Sequence, residues 1–84
     1  MKKHYALFIN DIDHDTDQAD WFPTLPQAIA YAQKVVAEEG ADHVEIMAFD
    51  DDCECVWDDF IKFDEDGRYW SDDRDAREEM GCIQ

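Results

Sequence analysis

One segment of this chain, TLPQAIAYAQKVVAEEG at residues 24–40, carries the apolar spacing of a long helix, and the rest must be arranged around it. Leu25, Ala28, Ile29, Ala32, Val35 and Val36 recur at intervals of three, four and seven and make a single stripe. Thr24 is placed to cap the first turn, with Gln27 three positions on to complete a capping box. Pro26 falls in the first turn, where its missing amide hydrogen is not needed, and Gly40 supplies the left-handed residue that stops the helix. The spacing predicts a helix over residues 25–39. A helix with one apolar stripe must bury it against something, and the remaining apolar residues fall into short runs of period two, so its partner is a sheet.

KHYALFIN (3–10) sets Tyr5, Leu7 and Ile9 against His4, Ala6, Phe8 and Asn10, and HVEIMAFD (43–50) sets Val44, Ile46 and Ala48 against Glu45, Met47 and Phe49. In CVWDDFIKF (55–63), Cys55, Trp57, Ile61 and Phe63 share one parity, interrupted by Asp59; this predicts a long strand bulged near Asp58-Asp59. DEDG (64–67) is a hairpin turn and RYW a short returning strand. Ser71 is expected to cap a short acidic helix over DDRDAREEM, ended by Gly81. The expected fold class is α+β: one domain over residues 1–84, a single helix packed on a mainly antiparallel sheet of about four strands (β-α-β-β-β), and a short acidic C-terminal helix. The free sheet face and the loops are left to carry charge.

The charge is extreme. Twenty-three acidic side chains face seven basic ones for a net −16, where a magnitude of about 2–8 is ample for the solubility of a small domain. Sixteen of the acids are aspartate, which holds its charge close to the backbone. Self-repulsion on this scale costs stability, so a basic partner is expected to compensate; adaptation to high salt is the competing explanation. The aspartates also recur in a ladder, NDIDHDTDQAD (10–20), that admits three readings: a metal loop, a solvated loop, or an imitation of a phosphate backbone.

The first reading fails as an EF-hand. Counted from Asp11, the glycine of position 6 is Thr16 and the glutamate of position 12 is Phe22, and a strand rather than a helix precedes the loop. His4, His14 and His43 are scattered and none pairs with a cysteine at a zinc-like spacing, so each is expected to be a surface histidine and no metal or cofactor is expected. Cys53, Cys55 and Cys82 lack a framework spacing and are expected to be reduced thiols in a cytoplasmic protein, with Cys53 and Cys55 side by side on one strand face as core or part-core residues. The apolar run near the N-terminus is too short for a signal peptide, and none of the chain's runs could span a bilayer. With no phosphate loop, no nucleophile motif and one serine, an enzyme is not expected. Direct nucleic-acid binding is disfavoured because phosphates would be repelled.

Alternate residues of an extended chain are about 6.6 Å apart, and the phosphates of one DNA strand rise by about 3.4 Å each along a longer backbone path. An extended ladder would therefore space its charges much as a phosphate backbone does. Further acid blocks reinforce this reading. The expected partner-binding residues are Asp11, Asp13, Asp15, Asp17 and Asp20 in the ladder, Asp50, Asp51, Asp52 and Glu54 in the next block, and Asp58, Asp64, Glu65, Asp66, Asp72 and Asp73 beyond it. Trp21 and Phe60, lying among these acids, are candidate apolar anchors.

The helix start TLPQAIAYA and the late hairpin DEDGRYW, within residues 4–71, resemble those of type I anti-CRISPR proteins, small inhibitors of bacterial defence carried by phages and mobile elements. The resemblance implies an inhibitor that occupies the DNA-binding surface of a CRISPR–Cas complex or similar nuclease, as a DNA mimic. The alternatives are an immunity or antitoxin protein that neutralises a basic toxin, and an acidic housekeeping domain without a charged partner. The exposed strand edges allow a dimer, and the sequence leaves the oligomeric state open.

Overall fold

Helix α1 (Leu25–Glu39) forms over the predicted residues, and all six residues of its stripe are buried. The computed structural model describes residues 2–81, so Cys82 lies outside the described residues. Gly40 ends the helix in the left-handed conformation, and Pro26 sits in its first turn. The capping box does not form. Thr24 has the extended backbone of an N-cap, yet its hydroxyl makes no capping hydrogen bond, and only its carbonyl accepts from the Ala28 amide.

The helix lies on a five-stranded antiparallel sheet in the order β2-β1-β3-β4-β5. Its strands are β1 (His4–Ile9), β2 (Asp20–Phe22), β3 (Val44–Phe49), β4 (Ile61–Phe63) and β5 (Tyr69–Trp70). A second helix, α2 (Arg74–Gly81), completes an α+β fold. The strand absent from the sequence reading is β2, which runs beside β1 with Trp21 opposite Ala6. The long strand expected over 55–63 is cut down to β4. Cys55 makes one isolated bridge to Phe49, and the chain bends from Val56 to Asp59. Two carboxylates explain the break: Asp59 takes the Phe60 amide and Asp73 takes the Asp58 amide, so neither amide is free for a ladder. Asp73, not Ser71, caps α2, its Oδ1 accepting from the Ala76 amide at 2.9 Å; Ser71 is buried and accepts from the Asp73 amide. Cys53 and Cys55 are exposed, contrary to the core role expected of them.

Register sorts the sheet into two faces. Tyr5, Leu7 and Ile9 share a face with Ala48, Ile46 and Val44, on the side of α1, where Phe22 meets Tyr31 of the helix with ring centroids 5.5 Å apart. The opposite face carries Ala6, Phe8, Glu45, Met47 and Phe49, and all five are buried. The free face is therefore not where the charge goes. The loop between β1 and β2 lays His14 against it, and the segment before β4 lays Phe60 beside His14. Trp21 closes over Phe49 at 5.4 Å between centroids.

Candidate functional site

The acids build their own loops. Asp11 accepts from the amides of Asp13 and Asp15, Asp50 from those of Asp52 and Glu54, and Asp64 from those of Asp66 and Arg68. In each loop the fourth residue donates its amide to the carbonyl of the first and takes a positive φ: His14 at 53°, Cys53 at 63° and Gly67 at 81°. One five-residue turn thus occurs three times, its first aspartate replacing water at two amides that point into the turn. The Asp11–Asp17 ladder is consequently folded into successive turns and is not an extended ribbon with phosphate-like spacing. Asp15 in turn holds the Asp17 amide.

This divides the predicted partner-binding residues into two sets. Asp11, Asp15, Asp50, Asp64 and Asp73 are occupied by backbone amides; Asp59, which is not among the predicted residues, is held by the Phe60 amide and the Lys62 ammonium. Asp13, Asp17, Asp20, Asp52, Glu54, Asp58, Glu65, Asp66 and Asp72 are exposed. Asp51 is exposed and lies 3.2 Å from His4. The antiparallel topology puts the 11–17 and 64–66 blocks at the end of the sheet where β1 and β4 finish, and the 50–54 block at the other end, where β3 finishes. Among the described residues, lysine and arginine pair only with Glu79, Asp59 and Glu78, so the three turn blocks carry no lysine or arginine counter-ion. Of the two expected anchors, Trp21 is exposed, whereas Phe60 is half-buried and stacked on His14. Trp70, on the opposite edge strand, is exposed as well.

Two carboxyls are held below the ordinary aspartate range. For Asp73 the causes are the Ala76 and Asp58 amides, with Arg77 adding a smaller attraction. For Asp59, burial acts upward but is outweighed by the Phe60 amide and Lys62.

A second cluster brings together residues that are far apart in sequence. His14, expected at the surface, is half-buried: its ring stacks on Phe60 at 4.3 Å and meets Phe8 edge-on at 5.2 Å. Its Nε2 lies 2.9 Å from Glu45 Oε1, and His43 Nε2 lies 2.5 Å from the same oxygen. The backbone explains the convergence. Asn10 Oδ1 accepts from the amides of Asp42 and His43, and the Asn10 amide donates to the His43 carbonyl. Asp11 closes the turn that carries His14. The sequence held one local sign of this cluster, the spacing His43-x-Glu45, which puts two potential ligands on one face of a strand.

No protein-family model, no curated protein and no solved structure matches this chain.

Proposed function

We propose that the protein is a non-enzymatic inhibitor that binds the basic, nucleic-acid-binding surface of a partner protein and competes there with DNA. The observation that carries this reading is the fixing of uncompensated aspartates on hydrogen-bonded turns. A merely solvated acidic surface needs no fixed geometry, whereas a charge pattern read by a basic cleft does. The outward acids Asp13, Asp17 and Asp66 at one end, and Asp52 and Glu54 at the other, present that pattern, with Trp21 as an apolar contact. Bacterial defence nucleases, CRISPR–Cas complexes among them, are the partner class implied by the sequence resemblance, and the cytoplasm is where the protein would meet them.

The test is competition on such a complex with labelled DNA at low and high salt. Displacement of DNA that weakens as salt rises is expected. Substituting Asp13, Asp17 and Asp66 with Asn removes charge without touching the turn-forming acceptors, and it should reduce displacement. Unchanged DNA affinity in the presence of saturating protein would refute mimicry. If a dedicated basic toxin, and no nuclease, were captured with the same charge dependence, the immunity reading would replace it.

A further inference from the structure

We propose that His14, His43 and Glu45 form a binding site for one divalent transition-metal ion of the zinc class, which staples the loop between β1 and β2 to the sheet. The donor set is two imidazole nitrogens and one carboxylate oxygen, and these ligand atoms lie within 4.8 Å of one another. Imidazole with carboxylate suits zinc and its neighbours, while magnesium and calcium favour sites made wholly of oxygen. A tetrahedral ion with bonds of about 2.1 Å spaces its ligands about 3.4 Å apart. The present separations of 2.9 and 2.5 Å therefore need to open by less than about 1 Å. Water from the solvent side would complete the coordination.

Three further observations point to an ion at this place. Glu45 is 6 % exposed, on a face shared with Phe8 and Met47, and a buried carboxylate needs a compensating charge. Lys62 stands directly opposite it in register, yet its ammonium is 3.3 Å from Asp59 instead. The only groups on Glu45 among the described residues are the two imidazoles, which bear no fixed charge. The histidines are also held in place beforehand: His14 by two aromatic rings and a left-handed backbone, His43 by the Asn10 clamp. Such ordering lowers the entropic cost of ligation. Finally, the site is reachable, since the His43 side chain is 47 % exposed and a depression lined by Asp42, His43, Glu45, Lys62 and Trp70 opens beside it. The surrounding negative charge raises the local concentration of any cation. The inference does not depend on the proposed inhibitory function.

The experiment is calorimetric titration of the full chain with Zn²⁺, repeated with Co²⁺ for its ligand-field spectrum and with Mg²⁺ as competitor. One ion per chain is expected, with a tetrahedral Co²⁺ spectrum, no displacement by millimolar Mg²⁺, and a Tm raised by Zn²⁺. His43→Gln, at an exposed position, and Glu45→Gln should each weaken Zn²⁺ binding at least about 10-fold. His4→Gln, at the other end of the sheet, should leave it unchanged. His14→Gln should abolish the Zn²⁺-dependent rise in Tm; should that variant fail to fold, His43→Gln decides alone. Zn²⁺ binding that survives His43→Gln unaltered, that Mg²⁺ displaces, or that is not saturable at one equivalent would overturn the site and leave only diffuse attraction to the acidic surface.

Discussion

At the scale of single residues, aspartate works here first as a backbone acceptor and only then as a charge. Asp73 shows the consequence most directly, because its two oxygens join the cap of α2 to the Asp58 amide in the segment before β4. Asp73→Ala should cost about 1–2 kcal/mol in chemical denaturation, whereas Asp72→Asn beside it should be nearly neutral. Because the Asp73 carboxyl is held below its ordinary range, its contribution is present above that range and is lost as the pH falls through the lowered value. Tyr5 supplies the opposite case at alkaline pH. Burial, then the Glu79 carboxylate 3.3 Å from its hydroxyl, push its pKa up to about 12. The unfolded chain releases this proton near its ordinary value of about 10, so the folded state binds more protons between those values. Stability from Tyr5 is therefore full below about pH 10 and is lost as the pH rises toward about 12. Denaturation followed across that window should show a falling stability whose slope is reduced in Tyr5→Phe; an identical slope in the variant would show that another group is responsible.

At the scale of elements, the repeated turn makes a comparison that the molecule itself provides. Gly67 and Cys53 occupy the same position of the same loop, both with positive φ, and only glycine adopts that conformation without steric cost. Cys53→Gly should stabilise the protein by about 0.5–1 kcal/mol, and Gly67→Ala should destabilise it by about 1 kcal/mol. A β-carbon at Gly67 meets nothing closer than Gln33 Cγ at 3.9 Å, so strain rather than crowding decides the second result. Thermal unfolding of the two variants side by side measures both. The same loops show what was legible in the sequence. Helix α1 was legible because its stripe and its terminating glycine are local signals, and the DEDG hairpin because Asp-Gly fits one backbone conformation. Strand β2 was not, since three residues carry no periodicity and their pairing is set by β1. The strand over 55–63 is shorter than its parity predicts because Asp59 turns back on the adjacent Phe60 amide, and because the Asp58 amide has a partner, Asp73, that only the fold supplies. The histidine–glutamate cluster was hidden for a related reason: His14 reaches Glu45 across 31 positions of sequence, through a turn whose aspartates looked like surface charge.

At the scale of the whole molecule, the central strands are covered on both faces, which removes the obvious place for most of the 23 acids; apart from the buried Glu45 and the acids of the two helices, most of them lie in the turns and loops outside the strands. With principal extents of 34 × 30 × 20 Å, many of these charges lie within one or two screening lengths of each other at about 0.1 M salt, where that length is about 10 Å. The folded state therefore stores repulsion that the expanded chain partly relieves. Two expectations follow from the same cause and separate use from mere tolerance. Thermal stability should rise steadily between low salt and about 1 M sodium chloride, where the screening length shortens to about 3 Å. A variant with Asn at Asp13, Asp17, Asp52 and Asp66, none of which supplies a turn acceptor among the described residues, should then be more stable than the parent at low salt and less responsive to added salt. If these charges are kept for a basic partner, that more stable variant should bind the partner more weakly, a trade of stability for function. Equal or lower stability at low salt in the variant would show that the outward aspartates are not under repulsion and that their excess needs another cause.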